Sequence, residues 1–464
     1  MLAVEKKREN SDNGRMDRQF YRDSFKMILP IVMQNIFSAL MGSADVVMLN
    51  AVSQNALAAG SLATQYTGIL FMFFFGIGSG AILLAAQYFG KGDMKAIEAI
   101  EGIALKCSLF VALIFFAGAS FFPHALMRVY TAEPALIEEG VKYLRAVRFS
   151  YLFWAISSAY FSMLRSIGRV TVATAANGAV FFLNIALNAV FIFGLFGCRR
   201  MGIEGVALAT SIAQGAQLAG CLVISFFSRD IKLKASFMLI KSRVLAKDFF
   251  RMSVPALLND VSWGLAFSVY VAIMGRLGSD VVAANSIVCV VRNFATVFCY
   301  AVASAGGIIV GNIIGAGKLA EAETAARKFM RITVIAGLFG GLLVLVSMPL
   351  VLRFAQLSDT AMGYLRSMLY INSYYIMGTA VNTTLIAGIF RAGGNTKFGL
   401  VCDTVDMWGY GVVAGCVTAF VLKLPVVWVY FFLCLDEFVK WPWVLSFYRS
   451  KKWLRNITRE HVLG

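Results

Sequence analysis

Apolar runs of about 20 residues follow one another along almost the whole chain, beginning near residues 24, 57, 101, 140, 170, 203, 248, 281, 326, 362, 397 and 424. At about 1.5 Å per residue, a helical run of that length crosses a hydrocarbon layer of about 30 Å. Inside such a layer no water satisfies backbone N–H and C=O groups, so each run must be helical. The alternating ten-residue pattern of a β-barrel wall is absent from the sequence. About twelve membrane-spanning helices are expected, with no large soluble domain.

The order of signals repeats. Pro30 in "MILP" is matched by Pro255 in "MSVP", and Gly90 and Gly92 of "FGKGD" by Gly315 and Gly317 of "IGAGK", both 225 residues on. "YLR" at 143–145 returns at 364–366, and Arg165 and Gly168 of "RSIG" correspond to Arg391 and Gly394 of "RAGG" at an offset of 226. The fold class expected is an all-α polytopic membrane protein of two pseudo-symmetric six-helix lobes, 24–228 and 248–447. Six is even, so both lobes enter from the same side. Transporters built from such parallel repeats place substrate where the repeats meet, near mid-membrane. Residues 1–23 are read as a cytoplasmic N-terminal segment, 229–247 as a cytoplasmic linker and 448–464 as a basic cytoplasmic tail.

Composition agrees: 59% of the 464 residues are hydrophobic and 14% charged, against about 45–50% and about 25% in soluble domains. The net charge of +17 is a topology signal and not a nucleic-acid footprint, because the bases gather at the ends of apolar runs. Lys6, Lys7, Arg8, Arg15, Arg18 and Arg22 lie before the first run, Arg229, Lys232, Lys234, Lys241, Arg243 and Lys247 between the lobes, and Arg449, Lys451, Lys452, Arg455 and Arg459 in the tail. Both termini are therefore expected in the cytoplasm; Arg199 and Arg200, in an outside turn, break the rule. The polar first 20 residues contain no cleavable signal, so the first span should insert itself. Eight scattered cysteines read as packing, and Gly76, Gly78, Gly80, Gly306 and Gly307 as places of close helix contact. Pro30 and Pro255 sit where a kink would let a helix flex.

Charges inside the spans carry the functional reading. An ionised Asp at a helix centre costs about 2.5–3.5 kcal/mol on insertion scales, so one that is kept faces a bundle interior or a wet cavity. The candidates are Asp45 in "SALMGSADVVMLNA", Asp260 in "ALLNDVSWG", and Asp403 and Asp406 in "LVCDTVDMWG". Asp45 lies 15 residues beyond Pro30 and Asp260 five beyond Pro255, so the two occupy different depths. Asp403 and Asp406, three apart, share a helix face. Gln34, Asn35, Asn184, Asn188, Thr210 and Asn259 offer neutral oxygens, the hard ligands a Na⁺ ion or a hydrated proton would use. An enzyme is not expected: His124 and His461 have no second ligand at metal spacing, no nucleophile stands beside a base, and without a GxxxxGK[ST] phosphate loop, uphill transport would draw on an ion gradient.

Several stretches, "ILPIVMQNIFSALMGSADVVML", "AAQYFGKGD", "LNIALNAVFIFG", "GIEGVALAT", "VPALLNDVSWGLAFSVYVAIMGRLG", "IFRAGGNTKF" and "LDEFVKW…KKWLRNIT", resemble in order and spacing the multidrug and toxic compound extrusion family, most nearly its DinF-like bacterial branch. The resemblance implies two lobes around a central cleft in a bacterial cytoplasmic membrane. It implies export of small organic cations and other amphipathic xenobiotics in exchange for H⁺ or Na⁺, by a monomer with no cofactor beyond the coupling ion. It also implies that Asp45, Asn184, Asn188 and Thr210 form the cation site. The family's second carboxylate there is an amide in this chain. In the other lobe Asp260 and Asp403 fall at acidic positions, while Asn395 stands where the family commonly has Asp. A lipid-linked glycan flippase would share the architecture, but it should line its cavity with several Arg or Lys.

Overall fold

The computed structural model describes residues 2–228, 231–355 and 357–460, without the side chains of 2–16, 43, 46, 50 and 51. Arg229 and His461, singled out above, lie outside the described residues. Twelve long helical segments run in sequence: α1 (Leu2–Val52), α2 (Gln54–Lys91), α3 (Met94–Phe121), α4 (Pro134–Ser166), α5 (Val170–Phe193), α6 (Gly202–Phe227), α7 (Arg243–Gly275), α8 (Ser279–Gly315), α9 (Leu319–Phe354), α10 (Asp359–Asn382), α11 (Thr396–Thr404, prolonged by further helical turns to 421) and α12 (Val426–Cys434, resuming at Trp441–Arg449). The expected starts fall within seven residues of these except the first, because the helix already runs through 2–23.

Local chemistry sets the ends. Hydroxyl or carboxylate caps open α2, α3, α7 and α10, where Ser53, Asp93, Ser242 and Ser358 accept backbone N–H groups three residues on, at 3.0–3.2 Å. The repeated glycines close helices. Gly92 and Gly317 end α2 and α8 at φ 81° and 78°, a left-handed conformation that side chains resist.

Among the described residues nine helices are long and apolar enough to cross a membrane; α4, α10 and α12 are not counted with them. On α9, Ile335, Leu338, Leu342, Val346 and Leu350 are exposed at spacings of three and four, while Gly337, Gly340, Gly341 and Val344 on the opposite side are buried. That division suits lipid on one face and protein on the other.

Buried apolar residues form three groups. One draws on both lobes at the end holding the base of α1, the linker and the tail. The other two lie at the opposite end, one confined to the first lobe and the other to the second. The lobes are thus fused at one end and separate at the other, which leaves a cleft between them. The fused end depends on glycine: a Cβ on Gly90 would strike the backbone of Asn312 and Ala316, and one on Gly315 the backbone of Gln87. The two repeats meet there reciprocally. Gly76 and Gly80 likewise admit the backbone of Leu257 and Ser253 on α7, so the sequence reading of close helix contact holds for them.

The tail laces this end together. Trp453 is buried, Gln87 donates to the carbonyls of Ala392 (2.6 Å) and Arg455 (3.2 Å) and accepts from the Ile457 N–H (2.9 Å), and Arg459 grips Asp248 with two contacts of 2.8 Å. The Asp248 carboxylate raises the pKa of the Arg459 guanidinium. Of the cysteines, Cys221, Cys299, Cys402 and Cys434 are buried, but Cys198 is exposed in the turn after α5, a correction to the reading of all eight as packing.

Candidate functional site

Four residues from three helices of the first lobe make one chain of hydrogen bonds. Thr210 on α6 donates to the Val206 carbonyl (3.1 Å) and accepts from the Asn184 amide (3.2 Å). Asn188, one turn on along α5, donates to Asn184 Oδ1 (3.1 Å) and to Asp45 Oδ1 of α1 (2.8 Å). Asn184 and Asn188 are buried and share a face because they are four residues apart. Asp45 makes no salt bridge among the described residues; the Asn188 amide is its partner. Asn188 Oδ1 is buried with no hydrogen-bond partner among the described residues. The cluster thus offers a carboxylate and an unsatisfied amide oxygen, a hard donor set that suits H⁺ or Na⁺. These are the four residues that the sequence assigns to a cation site.

The second lobe is arranged differently, because Asp260, Asp403 and Asp406 each have a basic partner. Arg391, buried just beyond the π-helical turns that follow α10, bonds Asp260 of α7 (3.1 Å) and also Ser79 of α2 (3.1 Å), so it ties the lobes together. Asp260 Oδ2 remains buried without a partner among the described residues. Lys440 sits where α12 breaks, 3.2 Å from Asp403, 3.2 Å from Glu437 and 3.7 Å from Asp406. Asn259 donates to Asp403 (3.0 Å), Asn382 to Glu437 (2.5 Å), and Tyr270 to Asp436 (3.1 Å). Three carboxylates, of Asp403, Asp406 and Glu437, thus surround one ammonium. Their convergence depends on π-helical turns: Thr383–Phe390 precedes Arg391, and Val405–Val412 carries Asp406. An extra residue per turn re-aims side chains that a regular helix would send elsewhere.

The remaining sequence candidates are dispersed. Asn395 is not in the acidic cluster; it bonds the carbonyls of Gly393 (3.3 Å) and Lys452 (3.4 Å). It begins α11 and faces the tail, which corrects its assignment to the acidic site. Gln34 Oε1 is buried without a partner among the described residues, and Asn35 is half-buried on the same helix. His124 is exposed, 3.5 Å from Glu138. Sequence reasoning missed Asp436, Glu437 and Lys440, and read Arg391 only as a repeat marker. Arg292 is a further base that it did not single out, within the membrane-crossing helix α8.

A cavity of about 430 Å³ opens among α7, α8 and α10, lined by Trp263, Phe267, Arg292, Tyr300, Tyr375 and Thr379 among others. It belongs to the second lobe alone.

The family model MatE matches residues 30–190 and 255–417, once in each lobe. An uncharacterized transporter of Bacillus subtilis, YisQ, is 24% identical over 93% of this chain and 94% of its own. The probable multidrug resistance protein NorM of Thermotoga maritima is 22% identical over 95% of each chain. In fold the chain is similar to an outward-facing multidrug resistance transporter of the MATE family, with a TM-score of 0.85 and 19% identity over 92% of this chain and 95% of that one.

Proposed function

The chain belongs to the MatE family of membrane transporters, and on that premise we propose that it exports small organic compounds, cations among them, in exchange for H⁺ or Na⁺. The observation that carries this reading is Asp45: of the four carboxylates singled out in the sequence, it is the one without a basic partner, held instead by Asn188. A lone ionised carboxylate in a closing cavity is costly until a proton, a metal cation or a cationic substrate neutralises it. Where two of these exclude each other, exchange follows, and the empty ionised state is the one that cannot reorient. The first lobe would then hold the coupling ion.

Alternating access would proceed by rocking of the lobes about the fused end. With both termini in the cytoplasm of a bacterial cell, that end faces inward and the cleft opens outward. One elementary charge moved across 100 mV is worth about 2.3 kcal/mol, a concentration ratio of about 50. The flippase alternative needs several unpaired bases to hold a pyrophosphate; among the residues lining the cavity there is one, Arg292.

Purified protein in liposomes with an imposed H⁺ or Na⁺ gradient and ethidium as substrate tests the proposal. Ethidium should move against its gradient under one of the two ions and stop when an ionophore collapses that gradient. Flux indifferent to both ions would overturn it.

A further inference from the structure

Arg292 is the reverse case of Asp45. It stands on α8 within a span and lines both the 430 Å³ cavity and an adjoining pocket of about 30 Å³. Unlike Arg391 and Lys440, it forms no salt bridge among the described residues. Its guanidinium is held from the sides, 4.9 Å over the ring of Phe267 and 5.8 Å over that of Tyr375, with a weak contact to Cys289 Sγ at 3.6 Å. Among the described residues no carboxylate lines either pocket. Asp436 and Glu437 are engaged elsewhere, with Tyr270, Asn382 and Lys440.

A positive charge inside a membrane protein usually has a named partner. Cation–π contacts compensate only part of that cost and leave the edge N–H groups free. A guanidinium presents those groups as a planar fork that matches carboxylate or sulfonate oxygens. Around it, Trp263 and Phe267 pack with ring centroids 4.2 Å apart, and Tyr300 and Tyr375 add further aromatic wall. Such walls suit a flat apolar body.

We infer that this second-lobe cavity is a subsite for organic anions: it takes the carboxylate or sulfonate of an aromatic, amphipathic compound on Arg292, with the ring system lying among Trp263, Phe267 and Tyr375. The inference rests on the export reading, since it names a substrate class for that transporter. The charges of the lobes are then complementary in use: a carboxylate with no basic partner among the described residues for the coupling cation in one, and a guanidinium with no acidic partner among them for an anionic group of the cargo in the other.

The test uses two probes of one shape and opposite charge, naphthalene-2-sulfonate and 2-naphthyltrimethylammonium, titrated calorimetrically into the protein in nanodiscs. Wild type should bind the sulfonate about tenfold or more tightly than the ammonium probe, as a charge-assisted contact implies. Arg292→Gln should lose that preference, and Arg292→Lys should keep part of it. Equal or tighter binding of the ammonium probe by wild type, absent sulfonate binding, or sulfonate binding unchanged in a folded Arg292→Gln protein would each overturn the inference. Should Arg292→Gln fail to fold, the wild-type pair and Arg292→Lys decide. Gradient-driven ethidium export with no sulfonate preference would remove the subsite and leave the transporter reading; an Arg292-dependent sulfonate site in a protein that exports nothing would do the opposite.

Discussion

Replacing Lys440 by Met removes the one ammonium that faces Asp403, Asp406 and Glu437 while keeping most of the side-chain volume. At an effective dielectric of about 20, each 3.2 Å contact is worth about 5 kcal/mol before solvation is counted. Desolvation and repulsion among the carboxylates offset much of that, so the measurable loss is about 3–5 kcal/mol, the usual cost of breaking a buried pair from one side. The side chain of Lys440 is only 3% exposed, so water does little to screen the loss. Unfolding of detergent-solubilised protein, followed by tryptophan fluorescence at pH 7.5, should show that deficit. A triple variant that adds Asp403→Asn and Asp406→Asn should recover much of the stability. A Lys440→Met protein as stable as wild type at pH 7.5 would refute the view that this ammonium holds the cluster together.

Two further perturbations address the coupling site and the fused end. Asn188→Ala removes the donor to both Asp45 and Asn184 and should lower ion-driven ethidium export about tenfold in liposomes, since a hydrogen bond to a charged group is worth about 1.5–3 kcal/mol. Gly315→Val drives a branched side chain into the backbone of Gln87; cysteine cross-linking between α2 and α8 near that contact should fall and export should stop, whereas a fully active variant would show that the close approach is dispensable.

The fold was largely legible because lipid leaves the backbone few choices and because the repeat marks equivalent helix ends. Gly92 and Gly317, paired from spacing alone, both turn out to be left-handed helix caps. The first-lobe cluster was legible too, since Asn184 and Asn188 are a turn apart and the family resemblance supplied Asp45 and Thr210 as their companions. The second lobe was less so. Asp436, Glu437 and Lys440 look like the polar end of a span in a hydropathy profile, but α12 breaks there and carries them inward. No period in the sequence announces the π-helical turns that aim Asp406 at Lys440. Arg292 carries no local signal either: one base among Val and Asn residues does not disclose that its neighbours in space are aromatic rings and not carboxylates.

The proposed exchange requires the Asp45 carboxylate to be neutralised by a mobile cation. The most direct measurement is substrate accumulation by Asp45→Asn protein in liposomes under an imposed H⁺ or Na⁺ gradient. Asparagine can still accept the Asn188 hydrogen bond, so the protein should fold and continue to exchange labelled for unlabelled substrate, but accumulation should fall to a ratio of about one. Gradient-driven accumulation at the wild-type level in that variant would contradict it.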